Sequence, residues 1–177
     1  MEANNPNQHH TAIREALSLL LETEHTHYQS LLDLLAQEKE LLTQRDLDSF
    51  TVVLEHKQKA ITRLTELARQ RDLLLNAAGA EVSKDGMEKL LSDLDTHHED
   101  GPDSEELMAT LRVHWQDIIE LAEKCRHLNE VNARIASRAR STGQTILDIL
   151  SGRNGTNLYT PTGRSAQARP QGPVVKA

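Results

Sequence analysis

The chain has 177 residues, a net charge of −7, one cysteine and four aromatic residues (Tyr28, Phe50, Trp115, Tyr159) against a large majority of leucines and polar residues. That length suffices for one core plus a tail, and the scarcity of aromatic and β-branched runs excludes a sheet interior, so the expected fold class is all-α. No apolar run approaches the roughly 20 residues of a bilayer span, and no basic end precedes an apolar block at the N-terminus, which points to a cytoplasmic protein without membrane insertion.

Charge is unevenly placed. Residues 1–130 carry 13 basic against 26 acidic side chains, a balance of −13, while residues 131–177 carry seven basic and one acid, a balance of +6. An acidic body disfavours nucleic acid as its partner, and the basic end can meet an acidic surface. Prolines stand only at 6, 102, 161, 170 and 173, which leaves 7–101 and 103–160 free to be helical.

The first helix begins between Pro6, as a first-turn proline, and Thr11, as a cap. Its apolar stripe (Ile13, Leu17, Leu20, Leu21, Tyr28, Leu31, Leu34, Leu35, Leu41, Leu42) runs to about Gln44. Glu24 and His27 interrupt it and are expected to weaken the packing there. Asp46 then offers an N-cap for a second helix carrying Phe50, Val53, Leu54, Ile61, Leu64, Leu67, Leu74 and Leu75, which Gly79 stops. Two helices of roughly 50 Å joined by so short a connection fold into a hairpin. Asp85-Gly-Met-Glu88 has capping-box spacing and opens a short helix through Leu90, Leu91 and Leu94. Residues 95–103 read as a surface loop, and Asp103-Ser-Glu-Glu106 after Pro102 caps the last helix.

That last helix carries a heptad seam: Leu107, Leu111, His114, Ile118, Leu121, Cys125, Leu128, Asn132, Ile135, Ala139, Thr142, Ile146 and Ile149. Up to Leu128 it reads as core. Beyond, Asn132, Ala139, Thr142 and Gly143 make a weaker helix that gains from a partner. A helix of roughly 72 Å outruns the hairpin by about 15 residues, so a bundle over 1–151 is expected, with 128–151 as its partner-binding end and 152–177 as a solvated tail.

Little chemistry is visible. Cys125 on the seam reads as a buried thiol. His25 and His27 point about 200° apart on a helix, and His9-His10 and His97-His98 sit in segments too loose to hold an ion, so no metal is expected. His56-Lys57-Gln58-Lys59-Ala60 resembles the H-x-x-K-[GAS] signature of histidine phosphotransfer domains, although Gln58 takes a place usually apolar and His56 sits on a flank of its helix. With no phosphate loop, nucleophile elbow or carboxylate pair, neither catalysis nor a cofactor is expected. The exposed seam could pair with a twin as a coiled-coil scaffold, fold back, or capture another protein's amphipathic helix, with Arg134, Arg138 and Arg140 steering acidic partners. The residues by themselves leave these open.

The arrangement resembles the FlgN family of flagellar export chaperones. The matching stretches are the Arg45-Asp46 turn with Phe50 to Leu54, Lys57-x-Lys59, Leu67-x-x-x-Arg71-Asp-Leu-Leu74, Leu128-Asn-x-x-Asn132, and Tyr159-Thr-Pro-Thr-Gly-Arg164. The resemblance implies a cytoplasmic chaperone that binds C-terminal helices of hook-filament junction proteins and brings them, unassembled, to the flagellar type III export gate and its ATPase. Carried over, the substrate face is Leu128, Val131, Ile135, Ala139, Thr142, Ile146, Leu147, Ile149 and Leu150, and Tyr159 is the export-gate contact. Thr160 departs from the glycine more usual after that tyrosine. Weak self-association remains open.

Overall fold

The computed structural model describes residues 6–96 and 102–151. Among them the chain forms four helices and no strand, the all-α fold expected: α1 Pro6–Gln44, α2 Leu47–Ala77, α3 Lys84–Thr96 and α4 Pro102–Leu150. The chain divides into two compact units, Met1–Ile135 and Ala136–Ala177, and the boundary falls within α4.

The helix ends follow local chemistry, with two departures from the sequence reading. Pro6 takes the first place of α1 and Thr11 lies inside the helix. The hairpin turn is tighter than a simple cap. Arg45 adopts a left-handed φ of 61°, which lets the Asp46 N–H donate back to Leu41 O at 3.2 Å, a Schellman closure made without glycine. The Asp46 carboxylate then accepts from the Ser49 N–H at 3.1 Å and starts α2, as the sequence indicated. Gly79, at φ 71°, ends α2, and the Ala80 N–H returns to Leu75 O at 2.9 Å.

The short third helix begins earlier than its capping-box spacing suggests. Ser83, not Asp85, is the cap, because its Oγ accepts from the Gly86 N–H at 2.9 Å. Gly86 is required by close approach: a Cβ there would lie 2.0 Å from Glu81 O. α4 opens at Pro102, one residue before the expected Asp103. The side chains of 97–103 lie outside the described residues.

Cross-helix contacts fix the register of the first unit. Glu38 on α1 meets Lys57 on α2, and Glu24 meets Arg71; the two acids are 14 residues apart and so are the two cations, as antiparallel helices require. Between α1 and α4 the separation is constant instead. Tyr28 meets Cys125 and Leu35 meets Asn132, each 97 residues apart, so α4 runs parallel to α1. α3 closes the end at which α2 finishes and α4 begins. There a core of Leu17, Leu21, Leu75, Met87, Leu91 and Leu111 draws on all four helices. Further along, Leu31, Leu35, Leu64 and Cys125 form a core of three.

Glu24 is a correction to the sequence reading. It does not loosen the stripe but is fully buried, paired with Arg71, whose guanidinium also lies 5.3 Å from the Trp115 ring centroid on α4. One ion pair and one cation–π contact thereby tie three helices.

Candidate functional site

The α4 seam changes character in two steps. Leu111, Ile118 and Cys125 are buried, with Leu107, His114 and Leu121 half-buried along the same row. The Cys125 thiol points at Tyr28 O, 3.7 Å away, and burial pushes its pKa up to about 11, which leaves it an unreactive thiol. Leu128 is half-buried against the Leu31, Leu35, Leu64 and Cys125 core.

Asn132, expected to begin the weak half, is buried. Its Nδ2 donates to Leu35 O at 2.8 Å and to Glu38 Oε2 at 2.9 Å, while Glu38 Oε1 accepts from Lys57 Nζ at 2.7 Å. The result is a polar layer across α1, α2 and α4. Asn132→Ala is expected to lower stability by about 1–3 kcal/mol, because it strips partners from a buried carbonyl and carboxylate; chemical denaturation measures it.

The open stretch therefore starts after Ile135. Val131 and Ile135 are half-buried, whereas Ala139 and Thr142 are exposed. Ile146, Leu147, Ile149 and Leu150 are more than half exposed, reaching 78% at Leu150. Helical geometry puts Ala139, Thr142, Ile146, Ile149 and Leu150 on one stripe, and sets Leu147 roughly 100° round from it. Arg138 and Arg140 flank the stripe, both exposed. Arg134, in the first unit, lies 3.9 Å from Glu130 on its own helix. The nine expected face residues are thus split: Leu128, Val131 and Ile135 are half-buried in the first unit, and the other six are open. Gly143 lies among them with nothing within 4 Å of where a Cβ would be.

His56 and Lys59 are exposed, Ala60 packs inward on the core shared by α1, α2 and α4, and Lys57 is engaged with Glu38. His25 stacks on His114 with ring centroids 5.4 Å apart and lies 3.7 Å from Asp117. No group of three metal-ligating side chains occurs among the described residues, and no described helix is long and apolar enough to cross a membrane. Tyr159 and the rest of 152–177, like His97 and His98, lie outside the described residues.

The buried Glu24 carries a measurable signature. Burial raises its pKa, against the opposing pull of Arg71, and burial likewise raises the Tyr28 phenol. A raised carboxyl binds its proton more tightly folded than unfolded, so its stabilising contribution is full below the ordinary value near 4.5 and is lost as pH rises through the raised value. The stability of the native chain relative to Glu24→Gln is expected to shrink as pH rises across that window; urea midpoints at a series of pH values measure it.

The family model described as FlgN protein matches residues 13–167. Among solved structures, the chain is similar to a Pseudomonas aeruginosa chain described as flagella synthesis protein FlgN, in a crystal structure at 1.48 Å resolution. Identity is 30%, the TM-score is 0.54, and the match covers 74% of this chain and 92% of that one. None of the curated proteins compared with the chain matches it.

Proposed function

Because the chain belongs to the FlgN family, we propose that it takes part in flagellar assembly as an export chaperone, capturing C-terminal helices of hook-filament junction proteins on the C-terminal stretch of α4. The observation that carries this reading is the exposed stripe Ala139, Thr142, Ile146, Ile149 and Leu150, flanked by Arg138 and Arg140. An amphipathic helix from the partner covers the apolar row, and its acids meet the arginines. The action is passive: burial at about 25 cal/mol per Å² is set against the ordering of both helices, and no bond in either protein is made or broken.

Delivery follows from the same assignment. The loaded chaperone carries its cargo unassembled to the export gate and the export ATPase in the cytoplasm, with Tyr159 as the contact that the family resemblance suggests for the gate. In this division of labour 1–135 is the scaffold, 136–151 the capture surface and 152–177 the docking tail.

Calorimetric titration with C-terminal segments of the junction proteins from the same cell tests the reading. Saturable binding with a Kd between micromolar and nanomolar, about −8 to −12 kcal/mol, supports it; no heat and no binding with any such segment overturns it. Gly143→Ala sharpens the test. In open space the new methyl meets nothing, and it favours the helix by about 1 kcal/mol, so preorganisation is expected to tighten capture by roughly fivefold.

A further inference from the structure

Two hollows run end to end along the α1–α2 hairpin and share the side chain of Arg63. The first, of about 520 Å³, is apolar: Leu20, Leu67 and Leu74 line it, with Leu19 and Leu73 on its lips, 69% and 53% exposed. The second, of about 560 Å³, follows α2 back toward its start and is lined by the charged and polar side chains Glu55, Gln58, Lys59, Thr62 and Glu66. None of the described side chains lining either hollow belongs to α3 or α4. From Glu55 to Leu74 the trough follows nineteen helical steps, roughly 28 Å, the length of a helix of about 20 residues.

Charge is ordered along this trough. At one end Lys59 and Arg63 stand a helical turn apart, both exposed. Of the two acids lining that end, Glu55 and Glu66, the second is held by Arg69, whose guanidinium donates to it at 2.9 and 3.1 Å, so the end stays net positive. The α1 lip is acidic instead. Glu24 meets Arg71 across the antiparallel hairpin, which sets Glu22 level with Leu73 and Glu15 about two turns beyond. Both acids are exposed and have no ion-pair partner among the described residues. The trough is therefore cationic at one end, apolar in the middle and anionic at the other.

We infer that it docks an amphipathic helix of another protein, lying parallel to α2. The helix carries acids in its first turns over Lys59 and Arg63, leucine-type side chains over Leu20, Leu67 and Leu74, and lysines or arginines in its last turns beside Glu22 and Glu15. The direction follows from the helix dipole, which favours acids in a first turn and cations in a last. The apolar row supplies the area, and the charges choose the partner and its placement. No residue of the trough belongs to the 136–150 stretch of α4, so the chain has two docking faces, and this one stands or falls apart from the capture function proposed above.

Fluorescence anisotropy of the full chain with two labelled peptides of about 20 residues tests the docking. Both have leucines at the heptad core positions and lysines in the last two turns; the first has glutamates in its first two turns, the second lysines there too. The glutamate–lysine peptide is expected to bind saturably and about tenfold or more tighter than the all-lysine one, although the chain as a whole is acidic. Leu19→Asp with Leu73→Asp should cost about tenfold or more. Lys59→Glu with Arg63→Glu should invert the preference, a gain of binding that misfolding cannot imitate. A nitroxide on the C-terminus of the first peptide should broaden amide signals near Glu15 and not near Lys59. Ile146→Asp with Leu150→Asp should leave the peptide bound as in the native chain; loss there moves the peptide to α4 and overturns the proposal. No saturable binding, equal binding of the two peptides, or a preference unchanged by the charge reversal also overturns it. Displacement of the peptide by a junction-protein segment makes the cargo the occupant, and a sedimenting dimer that the Leu19 and Leu73 changes dissolve makes it a second copy; either result overturns a separate partner.

Discussion

Ile146→Asp with Leu150→Asp is expected to abolish capture of junction-protein helices, with affinity falling at least about 100-fold, while α1 to α3 and the first unit stay folded. Both side chains are exposed in the free chain, by 51% and 78%, so neither substitution removes core packing. In the complex, however, each carboxylate would have to be desolvated under an apolar helix, at a cost of several kcal/mol apiece. The arginines cannot rescue them, since Ile146 and Leu150 lie six to twelve residues beyond Arg138 and Arg140. Acids near a helix C-terminus also oppose its dipole and fray the last turn, so Ile146→Gln with Leu150→Gln provides a neutral companion, expected to weaken capture by a smaller factor. Titration calorimetry gives the affinities and the thermal midpoint gives the fold. Undiminished capture, or loss of the whole bundle, would contradict the separation of scaffold from capture surface.

Arg71→Ala has the largest expected effect on stability, a loss of about 3–5 kcal/mol. It leaves Glu24, fully buried, without the guanidinium it pairs with and takes the cation from Trp115. At a chain length near 177 residues this corresponds to a fall of very roughly 6–20 °C in the thermal midpoint. Glu24 can escape part of the penalty by taking up a proton. Its pKa, already raised, must then rise further, so the variant should lose less at acid pH and more as pH increases. Replacing the pair with Glu24→Leu and Arg71→Met is expected to recover most of the loss, because a well-packed apolar pair replaces a buried ion pair at little cost. A double variant as unstable as Arg71→Ala would mean that the cation's contact with Trp115, and not the burial of an unpaired carboxylate, sets the effect.

The helices were legible because leucines at a strict spacing of three and four have few other ways to be buried, and the open stripe because its seam residues become smaller and more polar beyond Leu128. The buried polar layers were harder to read. Glu24 and Glu38 fall on the heptad Leu17, Leu21, Glu24, Tyr28, Leu31, Leu35, Glu38, which places both acids in the core. Along α1 by itself an acid there looks like a fault. It becomes a register mark only once the turn at Arg45 brings Arg71 and Lys57 opposite, and their shared 14-residue spacing was the available signal. Asn132 was misjudged for the same reason: its partners, Leu35 O and the Glu38 carboxylate, belong to another helix.

The most direct test of the central claim is amide hydrogen exchange across α4, at protein concentrations low enough to keep the chain monomeric, with and without a saturating junction-protein segment. In the free chain the account predicts slow exchange from about Leu111 to Asn132, where the seam is buried, and fast exchange over 136–150. The segment should add protection over 136–150. Strong protection of that stretch in the free monomer, unchanged by a segment that binds, would contradict it and move the capture surface elsewhere on the chain.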